Sequence, residues 1–264
     1  MRGAIVDLDG TVYVGGTVID GAAAGIGSLR EAGLSLLFFS NNPIRDGDEY
    51  VRYLQGKGLD INAGEGLSSG DVTAEMLAEY HPDDRVLCLG DERLQRQLRE
   101  ADLTLTEEPD RCGVLVASWT DEFDYGTMRR ALDGASERIP FYGTDPDRTF
   151  QGPDGELLPG SGAIIGAVSA TVGYEPDAVF GKPSEAAQRV ALDRLGVAPT
   201  DCLVVGDRLD TDLEMGRRAG MTTVLVLTGV TDRTDVADSP VDPDYVIEDL
   251  GEIDTVLAET GGRE

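Results

Sequence analysis

Lysine is almost missing from this chain: Lys57 and Lys182 stand alone among 264 residues, and the other 20 of its 22 basic residues are arginine. Histidine is rarer still. The single His81 gives serine or cysteine hydrolysis with an imidazole base little support, and its helix-to-loop segment "YHPDD" reads as a surface position. Cys88, Cys112 and Cys202 are an odd, widely spaced set with no C-x-x-C pair, which argues against a disulfide framework or a zinc site. No apolar run approaches the ~18 residues of a membrane span, and the N-terminus enters a strand directly, without a basic stretch followed by an apolar one. The expectation is a cytoplasmic protein.

Acid is what the chain has in excess. Asp and Glu number 50, the formal charge is -28 and the pI is near 4.2. Such a surface repels nucleic acid and anionic membranes, so neither is an expected partner. An acidic, lysine-poor composition resembles that of proteins from salt-loving organisms, where ionic strength screens self-repulsion. A patch built for a basic partner would cluster the acids, and here they are spread along the chain. The length and the 41% hydrophobic content suffice for one large domain or two modest ones with real cores.

Strand-like runs alternate with segments of helical period. Residues 3 to 8, 34 to 40 and 202 to 206 read as strands; 21 to 32, 45 to 56, 184 to 195 and 211 to 219 read as helices. "TTVLVLT" is a further strand, and "DYVIEDL" leads into a last short helix. The pattern predicts a parallel α/β fold whose strands are buried on both faces. Between its halves, "DRVLCLGDERLQRQLREADL" and "GVLVASWTDEFDYGTMRRALDGAS" form further strand and helix units. A turn-rich passage (141 to 162) and the helix-like "AIIGAVSATVG" follow. An inserted α/β module at about 79 to 177 is expected, dividing a core of 1 to 78 and 178 to 264. "GSGAIIG" follows a proline-rich turn rather than a strand and carries little weight as a dinucleotide loop.

In open parallel sheets the ligand crevice lies at the carboxyl ends of the strands. Four polar stretches stand there: "DLDGT" (7 to 11), "SNN" (40 to 42), "GKPSE" (181 to 185) and "GDRLDTD" (206 to 212). Asp7 and Asp9 repel each other, and with the distant Asp207 they make sense around a hard divalent cation. Mg²⁺ suits an all-oxygen site completed by waters and a phosphate. An EF-hand fails on spacing, since Gly10 is the fourth rather than the sixth position. Read alone, "DLDGT" has a second, less favoured reading as a strand ending in a turn, and Ser40 with Asn41 is equally a helix cap. Ser40 and the amides behind it otherwise suit phosphate oxygens at a helix start. Lys182, kept where lysine is scarce, reads either as a required point charge or as a solvated surface residue. Asp210 and Asp212 are also readable as helix caps.

Taken in order, "DLDGTVY", "FFSNN", "FGKPSE" and "GDRLDTD" resemble the four motifs of the haloacid dehalogenase-like (HAD) superfamily. The inserted middle, with "GTDPDRTF" and "GELLPGSGAI", resembles the branch of nitrophenyl phosphatases, phosphoglycolate phosphatases and nucleotide monophosphatases, with a C2-type cap. The resemblance implies a doubly wound, Rossmann-like core and an Mg²⁺-dependent phosphatase of small phosphate monoesters. Asp7 is then the nucleophile that carries an aspartyl-phosphate, and Asp9 the general acid and base. Mg²⁺ falls to Asp7, the Asp9 carbonyl and Asp207, with Asp212 in support; Thr11, Ser40, Asn41 and Lys182 hold the phosphoryl group. A homodimer through the cap is a further expectation from the resemblance. One departure stands out: the usual Asn of "ATNxD" is Asp145 here. If that loop meets the leaving group, Asp145 and Asp147 disfavour highly anionic substrates, and Arg148 offsets this. A non-catalytic phosphate-ligand binding protein on the same fold is the alternative, disfavoured because every catalytic position is filled.

Overall fold

The computed structural model describes residues 1–152 and 156–261. Residues 153–155 of the turn-rich passage and the end of the "GGRE" tail lie outside the described residues. Five residues without an internal charge, Gly3 to Asp7, make β1 (Gly3–Asp7), and every one of them is buried. Its side chains alternate between two apolar layers: Ala4 and Val6 join one cluster, Ile5 the other. A small hairpin of β2 (Tyr13–Val14) and β3 (Thr17–Val18) follows. Then come α1 (Ala22–Glu31), β4 (Ser35–Ser40), α2 (Gly47–Gly56), β5 (Gly66–Ser68) and α3 (Ser69–Tyr80).

The inserted segment contains β6 (Arg85–Leu89), α4 (Glu92–Glu100), β7 (Thr104–Leu105), β8 (Val114–Ala117), α5 (Tyr125–Gly134) and β9 (Phe141–Gly143). It continues through a hairpin of β10 (Thr149–Gln151) and β11 (Leu157–Pro159), α6 (Ser161–Val172) and β12 (Ala178–Val179). The chain then returns through α7 (Glu185–Leu195), β13 (Cys202–Gly206), α8 (Glu214–Ala219), β14 (Thr222–Val226), α9 (Arg233–Asp238), β15 (Tyr245–Ile247) and α10 (Ile253–Gly261).

Two parallel sheets result. The larger has the order β15-β14-β13-β1-β4-β5, with helices on both faces, and the smaller, the cap sheet, the order β12-β9-β8-β6-β7. This is the expected α/β architecture. The two sheets are not isolated from each other. One apolar cluster runs from Ile5, Leu37 and Val204 of the larger sheet through Met76 and Phe180 to Val86, Val114 and Val116 of the cap. The pattern gave no warning of β5 and α3: a three-residue strand has too few residues to show a period. Nor is there an apolar stripe on α3, where burial extends around Ser69, Gly70, Val72, Thr73, Ala74, Met76 and Leu77. The helix expected at 211 to 219 begins instead as a π-helical turn, Leu209–Leu213, that runs into α8. None of the helices among the described residues is long and apolar enough to cross a membrane.

The topology selects the site. From β1 the chain moves outward through β4 and β5 on one side and returns through β13 to β15 on the other. At this reversal the crossovers diverge and open a crevice at the strand ends. Asp7 ends β1, Ser40 ends β4, and Asp207 directly follows β13.

Candidate active site

The chain leaves the sheet after Asp7, and Gly10, at φ 89°, turns it back so that the amides of Thr11, Val12 and Tyr13 close on the Leu8 carbonyl. The two aspartates are thereby separated. Asp7 points into the crevice, while the Asp9 carboxylate accepts from Tyr13 Oη at 3.0 Å and Ser40 Oγ at 3.4 Å. Glycine at position 10 has a second cause, shared with Gly229: a methyl group at either would collide with the Asp207 carboxylate.

Lys182 is the hub. Its Nζ, 1% exposed, donates to Asp7 Oδ1 at 2.6 Å, Asp212 Oδ1 at 2.6 Å and the Phe39 carbonyl at 2.8 Å. Ser184 starts α7 two residues later, accepting from Ala187 N. Asn41 fixes the lysine backbone from both sides, accepting from Lys182 N at 2.8 Å and donating to Lys182 O at 3.1 Å. Its side chain, expected to hold a phosphoryl group, lines the cavity and also places the lysine. Thr11 is similar: fully buried, it donates to Asp7 Oδ2 at 3.3 Å. Ser40 stays at the cavity wall.

Carboxylate oxygens of Asp7, Asp207 and Asp212 lie within 4.8 Å of one another, all buried, and no other set of acids, histidines or cysteines converges so among the described residues. One ammonium faces three carboxylates. Burial, then Asp212, push the Asp7 carboxyl well above its usual range, and burial with Asp212 pushes Asp207 up to about 7. Burial works against the Lys182 charge, but Asp212 and Asp7 outweigh it and hold its pKa above the ordinary lysine value. Asp207 Oδ2 accepts from Val230 N at 2.7 Å; its buried Oδ1 has no hydrogen-bond partner among the described residues. An orphaned oxygen among crowded carboxylates fits a small, hard divalent cation. Asp212, expected only in support, belongs to this cluster because the π turn carries it inward. Desolvation by its walls raises Asp9 to about 6; its carboxylate also opens onto the cavity, where water moderates that rise.

These groups line one cavity of about 250 Å³ together with Asp147, Arg208 and the hairpin residues Thr149, Phe150 and Gln151. Of the three cap residues singled out in the sequence, only Asp147 reaches this cavity. Asp145 is buried beside Thr144, whose Oγ1 donates to it at 3.0 Å, and Arg148 is exposed and outside the lining. Tyr13, Arg208 and Val230 went unnoticed in the sequence, because what places them is the folding of loops that no local period marks. His81 is not a free surface residue: its side chain is 13% exposed, with Nδ1 2.9 Å from Asp84 Oδ2 and Nε2 2.9 Å from Tyr142 Oη.

Residues 4–104 match the model of the haloacid dehalogenase-like hydrolase family, and residues 179–253 that of a HAD-hydrolase-like family. The sugar-phosphatase AraL of Bacillus subtilis is 31% identical over 98% of this chain and 94% of its own length. The chain belongs to the HAD hydrolases. The p-nitrophenyl phosphatase from Archaeoglobus fulgidus superposes with a TM-score of 0.90 at 36% identity, covering 97% of this chain and 99% of that one. A glycerol phosphate phosphatase from Mycobacterium tuberculosis, solved in complex with magnesium, gives 0.84 at 31% identity, covering 94% and 75%. This HAD hydrolase therefore acts on phosphate monoesters.

Proposed function

We propose that this enzyme hydrolyses small phosphate monoesters, sugar or polyol phosphates among them, in two steps through an aspartyl-phosphate at Asp7. What carries the reading is the convergence of Asp7, Asp9, Lys182, Asp207 and Asp212 on a single cavity. In the first step an Asp7 carboxylate oxygen attacks phosphorus and the bond to the leaving oxygen breaks. Asp9, whose raised pKa makes it protonated more readily than a free aspartate, gives a proton to the departing alkoxide. In the second, Asp9 takes a proton from water as the water oxygen attacks phosphorus, the Asp7–phosphorus bond breaks, and inorganic phosphate leaves.

Lys182 holds Asp7 in place through Oδ1 and brings a positive charge to the oxygens of the transferring group. Asn41 and Thr11 keep that pair aligned. Asp7, Asp207 and Asp212, with the Asp9 carbonyl, would hold Mg²⁺, which when bound neutralises the carboxylates and polarises the phosphoryl oxygens. Thr149, Phe150, Gln151 and Leu157 of the cap hairpin line the cavity and limit bulk water. Release of p-nitrophenol from p-nitrophenyl phosphate, followed with and without Mg²⁺ in wild type and Asp7→Asn, tests the reading. Turnover is expected only in the wild type with the metal; persistence in Asp7→Asn would remove the covalent route.

A further inference from the structure

Asp9 opens onto the cavity, and an aspartate with an open face has two rotatable bonds and several rotamers to choose from. Moving a proton at a fixed place needs one of them. Two hydroxyls select it, and both meet the same oxygen: Tyr13 Oη donates to Oδ2 at 3.0 Å and Ser40 Oγ at 3.4 Å. Neither takes Oδ1. A donor on Oδ2 suits both forms of the acid, because when the proton sits on Oδ1 the other oxygen still accepts.

The two hydroxyls are not equivalent. Ser40 lines the cavity and its Oγ also accepts from Asn42 N at 3.1 Å. Tyr13 makes the shorter bond, is 5% exposed, and stands behind Asp9, outside the cavity lining. Its backbone is fixed within the turn: its N donates to the Leu8 carbonyl at 3.1 Å, and its own carbonyl accepts from Gly10 N at 2.8 Å. Its ring meets that of Tyr53, on α2, edge to face at 5.5 Å. The Arg45 guanidinium and the Lys57 ammonium lie 4.5 and 5.2 Å from the Tyr53 ring centre, and Lys57 Nζ also donates to the Gly16 carbonyl at the tip of the β2–β3 hairpin. The hairpin that carries Tyr13 is thus braced against α2 at both its root and its tip.

We propose that Tyr13 is a positioning residue for proton transfer: its hydroxyl holds the Asp9 carboxylate by Oδ2 and so keeps Oδ1 for the proton given to the leaving alcohol. The inference rests on the phosphatase reading and extends it to a residue that touches neither substrate nor the carboxylate cluster. Lys57, the second of the two lysines, then serves the site from outside by closing the hairpin.

Tyr13→Phe removes the hydroxyl and keeps the ring against Tyr53. Its effect is read as kcat/KM at one pH for p-nitrophenyl phosphate, phenyl phosphate and glycerol 3-phosphate, whose leaving oxygens become more basic in that order and need a proton more. This ratio covers only the steps up to release of the alcohol, so the later hydrolysis does not enter. The expected loss grows along the series, from less than about twofold for p-nitrophenyl phosphate to about tenfold or more for glycerol 3-phosphate. In an Asp9→Asn background the same change should cost no further leaving-group-dependent loss. Should Tyr13→Phe fail to fold, Ser40→Ala removes the longer bond to the same oxygen and should give a smaller loss in the same order. Equal losses for all esters, no loss, or a loss that persists in Asp9→Asn overturns the inference and leaves the phosphatase reading standing. If the wild type turns over none of the three esters, both fall.

Discussion

Two groups of buried acids stand on either side of this cavity. Asp7, Asp207 and Asp212 aim oxygens at one another around a single lysine, and one of those oxygens has no partner. Asp145 and Asp147 stand two residues apart in the cap loop, Asp147 lining the cavity and Asp145 buried behind it, and both meet neighbouring donors. Thr144 Oγ1 and Asp147 N donate to Asp145, and Asn41 donates to Asp147. Burial raises the pKa of Asp7 and Asp207 in the first group and of Asp145 and Asp147 in the second, with the Asp145 carboxyl reaching about 8. Perturbation alone therefore does not separate a cation site from a buried loop. Convergence does: the inner acids leave a coordination point open, while the outer ones close theirs with hydrogen bonds.

The largest expected effect lies in the inner group. Asp7→Asn should lower kcat by on the order of 10⁴-fold, read from p-nitrophenyl phosphate turnover. Retained activity would place the two acid groups on an equal footing. Next comes stability in a chelating buffer, followed by urea titration. Lys182→Met leaves Asp7 and Asp212 without their shared cation and should cost about 3–5 kcal/mol. By contrast, Arg208→Gln, which removes a longer and more solvated contact, should stay within about 1 kcal/mol. Comparable losses would erase the distinction.

Magnesium binding gives a third contrast, independent of turnover. At about 100 times its Kd, Mg²⁺ should stabilise the wild type by ~2.7 kcal/mol in thermal or urea unfolding. Asp207→Asn should lose most of that gain and Asp145→Asn keep it.

The smallest effect concerns pH. The Asp145 pKa is raised in the folded chain, so between about 4 and 8 the unfolded chain has released this proton while the folded one still holds it. Stability contributed by Asp145 is then fully present below about pH 4 and is lost as pH rises towards 8. Asparagine resembles the protonated acid and has no such slope. Asp145→Asn should match the wild type near pH 4 and exceed it by on the order of 1–3 kcal/mol at pH 8. A difference independent of pH would show that Asp145 is ionised when folded.

Much of the catalytic crevice was legible because it sits where regular structure stops. The apolar runs around 3 to 7, 35 to 40 and 202 to 206 locate strand ends, and Asp7, Ser40 and Asp207 stand there in the sequence as in the fold. The partners of those residues were less visible. Asn41 and Thr11 read in the sequence as phosphate donors; that their side chains also bond Lys182 and Asp7 depends on which neighbour lies within hydrogen-bond reach. Asp212 resembled a helix cap until the π turn brought it inward, and nothing in "FYGTDPDRTF" separates the buried Asp145 from the exposed Arg148.

The sequence by itself determined the alternation of strand and helix, the inserted module, and which strand ends carry acid, amide and lysine. Those are local matters: burial on both faces writes itself into apolar runs, and a charged residue survives beside such a run only at its end. The tertiary structure alone decided which carboxylates converge, which oxygen stays unpaired, and that Arg208 lies between Asp147 and Asp210. Each of these depends on residues far apart in the chain, such as positions 7 and 182 or 147 and 208. Their Coulomb and hydrogen-bond energies exist only once folding has brought them within a few ångströms.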